Sequence, residues 1–145
     1  MGDNAFTVRV ADDEGLEVTA TLEIEVVNVN EAPSFTTDPI AGSDATEDAA
    51  YAASIAGFAE DPDAGDTLTF SKVSGPAWLV VAADGSLSGI PENDAVGPNA
   101  FTVEVRDAAD EGAQATLNIT VINVNDPPVF NVDPVVIGGA EEQNA

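Results

Sequence analysis

The side chains able to do chemistry in this chain are almost all carboxylates and amides, and they fall in groups. Asp61-Pro62-Asp63 with Asp66 sits between two strand-like runs. Asp107 follows the run Phe101–Arg106, with Asp110 and Glu111 just beyond it. Glu47-Asp48 comes earlier, and Asn28, Asn30 and Glu31 are echoed by Asn123, Asn125 and Asp126. These groups offer oxygen and nothing softer. A site made only of carboxylate and amide oxygens suits a hard cation, and calcium in particular, which takes about six to eight oxygen ligands in loose geometry. An EF-hand starting at Asp61 is excluded, because Lys72 stands where that loop needs a bidentate Glu and Gly65 comes one place early. The same Asp and Asn residues also suit turns and strand ends without any metal.

Other chemistries are poorly served. With no His and no Cys, the commonest general base, transition-metal ligand and thiolate are all missing. The seven serines therefore have no histidine to activate them. Carboxylate pairs could in principle serve glycoside hydrolysis. With 27 acidic residues, however, such pairs arise by chance, and a small sandwich has little room for a deep cleft. The expectation is a chain that is not an enzyme. Against those 27 acids stand only Arg9, Lys72 and Arg106, a net charge of −24. That balance argues against nucleic acid and anionic membrane, both of which need Lys and Arg. No apolar run approaches the ~18 residues of a membrane span. Met1-Gly2 begins no signal peptide, so any export signal is expected elsewhere.

The elements that must position these groups are strands. Val18, Ala20, Leu22, Ile24 and Val26 are apolar, with Thr19, Thr21, Glu23 and Glu25 between them. Ala113, Ala115, Leu117, Ile119 and Val121 alternate in the same way. Each run reads as a strand with one face on a core and one in water. Phe6-Val8-Val10 and Phe101-Val103-Val105 supply the strand before each. Further strands are expected near Ser34–Ala41, Ala49–Phe58, Thr67–Val73, Trp78–Ala82 and Ser86–Gly89, separated by turn chemistry at 61–66, at Ser74-Gly75-Pro76 and at Asp84-Gly85. About seven short strands predict an all-β, Greek-key β-sandwich. Trp78 and Phe101 are expected in its core.

The chain also repeats itself. Asn4-Ala5-Phe6-Thr7-Val8 returns as Asn99-Ala100-Phe101-Thr102-Val103, and Asn28-Val29-Asn30-Glu31-Ala32-Pro33 as Asn123-Val124-Asn125-Asp126-Pro127-Pro128, at a constant offset of 95. A period of that length is a whole small domain rather than a solenoid unit. The expected division is residues 1–33 as the C-terminal hairpin of a preceding repeat plus a joint, 34–128 as a complete repeat, and 129–145 as the start of a following one. Prolines stiffen each joint. The hairpin at residues 2–30, lacking the rest of its sandwich, is expected either to be mobile or to lay its face or edge on something else. Residues 136–145 are expected to be disordered.

Four segments in order carry a family resemblance: Glu60-Asp61-Pro62-Asp63-Ala64-Gly65-Asp66-Thr67-Leu68-Thr69-Phe70, Pro76-Ala77-Trp78-Leu79, Gly85-Ser86-Leu87-Ser88-Gly89-Ile90-Pro91 and Asn123-Val124-Asn125-Asp126-Pro127-Pro128-Val129-Phe130. Residues 34–130 resemble a cadherin-like repeat, most closely the dystroglycan-type, Ig-like form of bacterial surface proteins. The resemblance implies a cadherin- or immunoglobulin-like sandwich with calcium at the joints between repeats. Asn28, Asn30 and Glu31 resemble joint ligands, and Asp61, Asp63 and Asp107 those of the repeat that follows. Glu47 resembles the early glutamate serving the far joint, with Asn123, Asn125 and Asp126. The joints here open with Asn rather than Asp, look one residue shorter, and no Asp-Arg-Glu motif lies mid-repeat, where Glu92 or Asp94 are the nearest substitutes. Fewer charged ligands imply fewer ions or weaker binding.

The function expected is a calcium-stiffened adhesive or structural module of a secreted or cell-surface protein. Its partners would be neighbouring repeats, with a like protein or a polysaccharide as further ones. A carbohydrate-binding module or a passive spacer is the alternative. The carbohydrate reading depends on an exposed aromatic platform, for which Tyr51 and Trp78 are the sole Tyr and Trp.

Overall fold

The computed structural model describes residues 2–130. Its first part is a lone hairpin, β1 (Gly2–Ala11) against β2 (Glu17–Val26), in unbroken antiparallel register from Gly2↔Val26 to Ala11↔Glu17. Even-numbered partners such as Phe6↔Leu22 and Val8↔Ala20 share one face, and Thr and Glu occupy the other. Asp12 Oδ1 closes the loop by accepting from the amides of Glu14 and Leu16. Every residue of both strands is exposed, so the apolar face is not covered by the other described residues.

Residues 34–122 form a sandwich. One layer is β6 (Tyr51–Ser54), β10 (Ser86–Gly89) and β9 (Leu79–Val81), in the order β6-β10-β9. The other runs β4 (Ile40–Ala41), β12 (Gly112–Ile122), β11 (Gly97–Arg106) and β8 (Thr69–Ser74). β5 (Ala45–Thr46) also pairs with β12, in parallel like β4. A small ribbon of β3 (Ser34–Phe35) and β7 (Ala59–Glu60) closes the end that faces the first joint. The inward positions of β11 (Phe101, Val103, Val105) and β12 (Ala115, Leu117, Ile119, Val121) meet Tyr51, Leu79 and Leu87 from the opposite layer in one core. The expected all-β, Ig-like sandwich is what the chain forms.

The strands expected near Thr67–Val73 and Trp78–Ala82 emerge as Thr69–Ser74 and Leu79–Val81, and two others are interrupted. The run Ser34–Ala41 breaks into β3 and β4 around bends at 36–39, where Pro39 has no amide to donate to a ladder. The alanine-rich run Ala49–Phe58 is strand only over β6. Ser54 Oγ then accepts from the Ala56 amide and the chain turns into a 3-10 helix at Ala56–Phe58. Gly75 has φ +119°, and a Cβ there would stand 2.6 Å from Phe101 Cδ1, so the turn between β8 and β9 presses its backbone against a core ring. Gly89 admits the Trp78 carbonyl in the same way. The segment expected to be disordered, 136–145, lies outside the described residues.

Candidate metal centre

Two loops at one end of the sandwich supply the carboxylates. The first follows β7. The Asp63 amide donates to Asp61 Oδ1 at 2.7 Å, and the Asp66 amide reaches the Asp63 carbonyl at 3.2 Å, an Asx-type turn that Gly65 completes at φ +95°. This winding brings one carboxylate oxygen from each of Asp61, Asp63 and Asp66 within 4.8 Å of one another. The second loop joins β11 to β12. The Asp107 amide donates to the Glu111 carbonyl at 3.0 Å there, and Asp107 Oδ1 accepts from the Glu111 amide at 2.8 Å.

The joint 27–33 crosses both loops. Asn28 Nδ2 donates to Asp63 Oδ1 at 2.6 Å, and the Glu31 amide donates to Asp63 Oδ2 at 2.7 Å. Asn30 Nδ2 donates to Asp107 Oδ2 at 2.8 Å and to Glu111 Oε2 at 3.2 Å. Asn28 and Glu31 are thereby tied to Asp63, and Asn30 to Asp107; the close carboxylate group is Asp61, Asp63 and Asp66, and Asp107 and the Glu31 carboxylate are not part of it. Asp63 and Asp107 are nearly buried there. The Asn30 hydrogen bond holds the Asp107 carboxyl below its ordinary range. Burial pushes the other way, and the amides of Glu111, Ala109 and Asp110 add to the lowering. One oxygen stands apart: Asp61 Oδ2 is buried and has no hydrogen-bond partner.

The second group assembles differently. Glu47, 1% exposed, receives the Val124 amide on Oε2 at 2.8 Å, while its Oε1 is buried without a partner. Its own amide donates to the Ile122 carbonyl. Asp126 Oδ2 accepts from Asn93 Nδ2 at 3.1 Å, and Asn125 Nδ2 bonds the Asp126 carbonyl. Asn123 is exposed. Glu47 thus meets the backbone of the joint rather than the side chains of Asn123, Asn125 and Asp126. Two groups join the first site that the resemblance did not carry over: Asp66, which the turn folds back beside Asp63, and Glu111, which shares Asn30 with Asp107. Both stand in the same acidic runs as the predicted residues, and that proximity was the available signal.

Among the described residues no helix is long and apolar enough to cross a membrane. A family model described as "Putative Ig domain" matches residues 32–122. No curated protein matches the chain. Among solved structures, the endo-fucoidan hydrolase MfFcnA4 of glycoside hydrolase family 107 contains a similar region, 26% identical over 85% of this chain and 19% of its own, with a TM-score of 0.58. Protocadherin gamma B2 extracellular cadherin domains 1–5 align over 87% of this chain and 27% of theirs, at 20% identity and a TM-score of 0.71. The protocadherin gammaB7 EC3–6 cis-dimer aligns over 83% and 32%, at 20% identity and 0.67. The chain spans between a fifth and a third of these structures, and at the protocadherins' identity the likeness is one of fold.

Proposed function

The chain belongs to the putative Ig domain family, and from that premise we propose that it is a calcium-binding structural and adhesive module of a larger extracellular protein, the ion held where residues 28–31 cross the loops at 61–66 and 107–111. One observation carries the reading. Asp61 Oδ2 is buried without a partner beside the carboxylates of Asp63 and Asp66. Like charges so close repel, and a buried acceptor left unpaired costs free energy. The ion pairs among the described residues are Arg9–Glu17, Arg106–Glu104 and Arg106–Asp110, so neither Lys nor Arg relieves this cluster.

The donor set fits calcium. Asp61, Asp63 and Asp66 offer three close carboxylate oxygens, with Asp107 tied to the same joint through Asn30 and Glu31 approaching through its backbone amide. Asn28 and Asn30 carry amides whose oxygen or nitrogen faces the cluster according to a half-turn about the last side-chain torsion. When bound, calcium supplies positive charge shared by ligands from two modules. The residues themselves do the rest. Asn28, Asn30 and Glu31 tether the joint to two separate loops, so the extended segment between modules has one preferred direction, and Pro33 removes a rotation beside it. The module works without catalysis, through stiffness and spacing, with neighbouring repeats as its first partners.

A second reading, a module serving a polysaccharide-active protein, draws on the similarity to endo-fucoidan hydrolases. Trp78 limits it. The ring is half-buried and meets Tyr51 and Phe101 edge-on, with centroids 5.7 and 5.5 Å away, so it offers no open stacking platform. Thermal unfolding of the chain with millimolar calcium, with magnesium and with chelator tests the first reading. A calcium-specific rise in midpoint, abolished in Asp61→Asn/Asp63→Asn, is expected. An unchanged midpoint would sink it. Retention on immobilised fucoidan in chelator would favour the second reading.

A further inference from the structure

At the end of the sandwich nearer the second joint lies a cavity of about 350 Å³ that the calcium reading does not use. Its walls include Pro76, Trp78 and Ile90, and Glu92 and Asp94 stand at it with exposed side chains. Asn99 forms part of the lining, and both its donors are committed: Nδ2 donates to the carbonyls of Ala95 and Gly97 at 2.7 and 2.9 Å, while Oδ1 accepts from Trp78 Nε1 at 3.1 Å. Asn99 therefore sets the pose of the indole and has no donor left for a ligand. The nearest cation, Lys72, is likewise committed, donating to the carbonyls of Pro76 and Leu79.

What remains available is an aromatic and aliphatic wall with two carboxylates beside it. Those carboxylates, in a chain of net charge −24, repel an anion. A neutral sugar could donate to Glu92 and Asp94 but would leave both carboxylates without a counter-charge. A bare metal ion would find Trp78 and Ile90 where it needs oxygens. An organic cation on an apolar stem answers both features: the stem lies along Pro76, Trp78 and Ile90, and Glu92 and Asp94 neutralise the charge.

We propose that this cavity is a docking site for a lysine or arginine side chain of a basic partner protein, with Trp78 as the aromatic wall and Glu92 and Asp94 as its counter-ions. The proposal is independent of the calcium site, and its test is run in chelator. Trp78 is the sole tryptophan, so its indole N–H gives one unambiguous NMR signal. Titration with N-acetyl-arginine amide should move that signal and the amides of Ile90 and Asp94 saturably, while N-acetyl-citrulline amide, the neutral isostere, should leave them in place. Glu92→Gln/Asp94→Asn should weaken the effect about fivefold, the worth of two exposed ion pairs of ordinary strength. Both positions are exposed, and an unchanged Trp78 indole signal before titration shows that the fold is kept. An equal response to citrulline, an unaffected double variant, or shifts centred on Asp61, Asp63 and Asp107 instead would each overturn the proposal.

Discussion

The hairpin β1–β2 and the hairpin β11–β12 are near-copies of one another, yet one is bare and the other is the centre of a core. Phe6 is 50% exposed and Phe101 is 1% exposed; Leu22 and Leu117 stand at 45% and 0%. Even the register agrees, with Gly2↔Val26 answered by Gly97↔Val121 and Phe6↔Leu22 by Phe101↔Leu117. Local sequence is therefore enough to make the hairpin and to sort its faces, and it does not supply what covers them. Tyr51, Leu79 and Leu87 do that for β11–β12, from strands with no counterpart beside β1–β2. The loops differ too. Asp12 and Asp107 occupy the same place in the two copies. Asp12 caps its own loop only, whereas Asp107 also receives Asn30 from the joint before it.

The largest effect that would test this contrast is a truncation made in both copies. Phe101→Ala should cost the sandwich about 4 kcal/mol, and Phe6→Ala less than about 0.5 kcal/mol, in denaturant melts followed by Trp78 fluorescence. A comparable loss from Phe6→Ala would mean that the first hairpin's face is covered in solution and would break the comparison. Amide exchange sharpens it: protection should follow the core on β11 and β12 and be weak on β1 and β2.

Calcium should come next in size. At about a hundred times its dissociation constant, a ligand of the folded state adds ~2.7 kcal/mol. That gain should disappear in Asp61→Asn/Asp63→Asn and persist in Asp12→Asn, because among the described residues Asp12 meets only its own loop.

A smaller effect belongs to pH. The Asp107 carboxyl is held low, chiefly by Asn30, so its contribution to folding is present above the unfolded carboxyl value of about 4 and is lost as pH falls through the lower folded value. Asn30→Ala should move the Asp107 titration upward, as followed by NMR of its carboxyl carbon, and should make the domain yield to acid earlier. Glu104, lowered by its Arg106 partner, should titrate as before and serves as the control.

The smallest expected change is a near-null. Removing residues 2–26 while keeping the joint should shift the sandwich's stability by less than about 0.5 kcal/mol in the same melts, since no strand of the sandwich pairs with β1 or β2. A larger loss would show that the hairpin supports the domain.

Much of the fold could be read from residue order. The alternation through Val18–Val26 and Ala113–Val121 predicts both long hairpins, and Ser86–Gly89 emerges as β10 with the expected bounds. The failures have local causes that apolar pattern does not report. Pro39 interrupts the run from Ser34, and the Ser54 hydroxyl diverts the alanine-rich run into a turn. The first candidate group was legible because turn-forming acids and the joint repeat are local motifs. Asp66 and Glu111 were visible only as further acids, since their membership depends on how each loop winds in space.

By itself the sequence determined the period of the strands, the apolar face of each hairpin, the acidic turns and the repeat that equates the two hairpins. These are properties of neighbouring residues and of the backbone's two-residue alternation. Only the tertiary structure decided which copy becomes a core, which carboxylates face one another, and that Asn28 and Asn30 reach Asp63 and Asp107. Burial needs an opposing sheet, and contacts between a joint and two loops need those loops folded together; both depend on segments tens of residues away, where alternation along one strand carries no information.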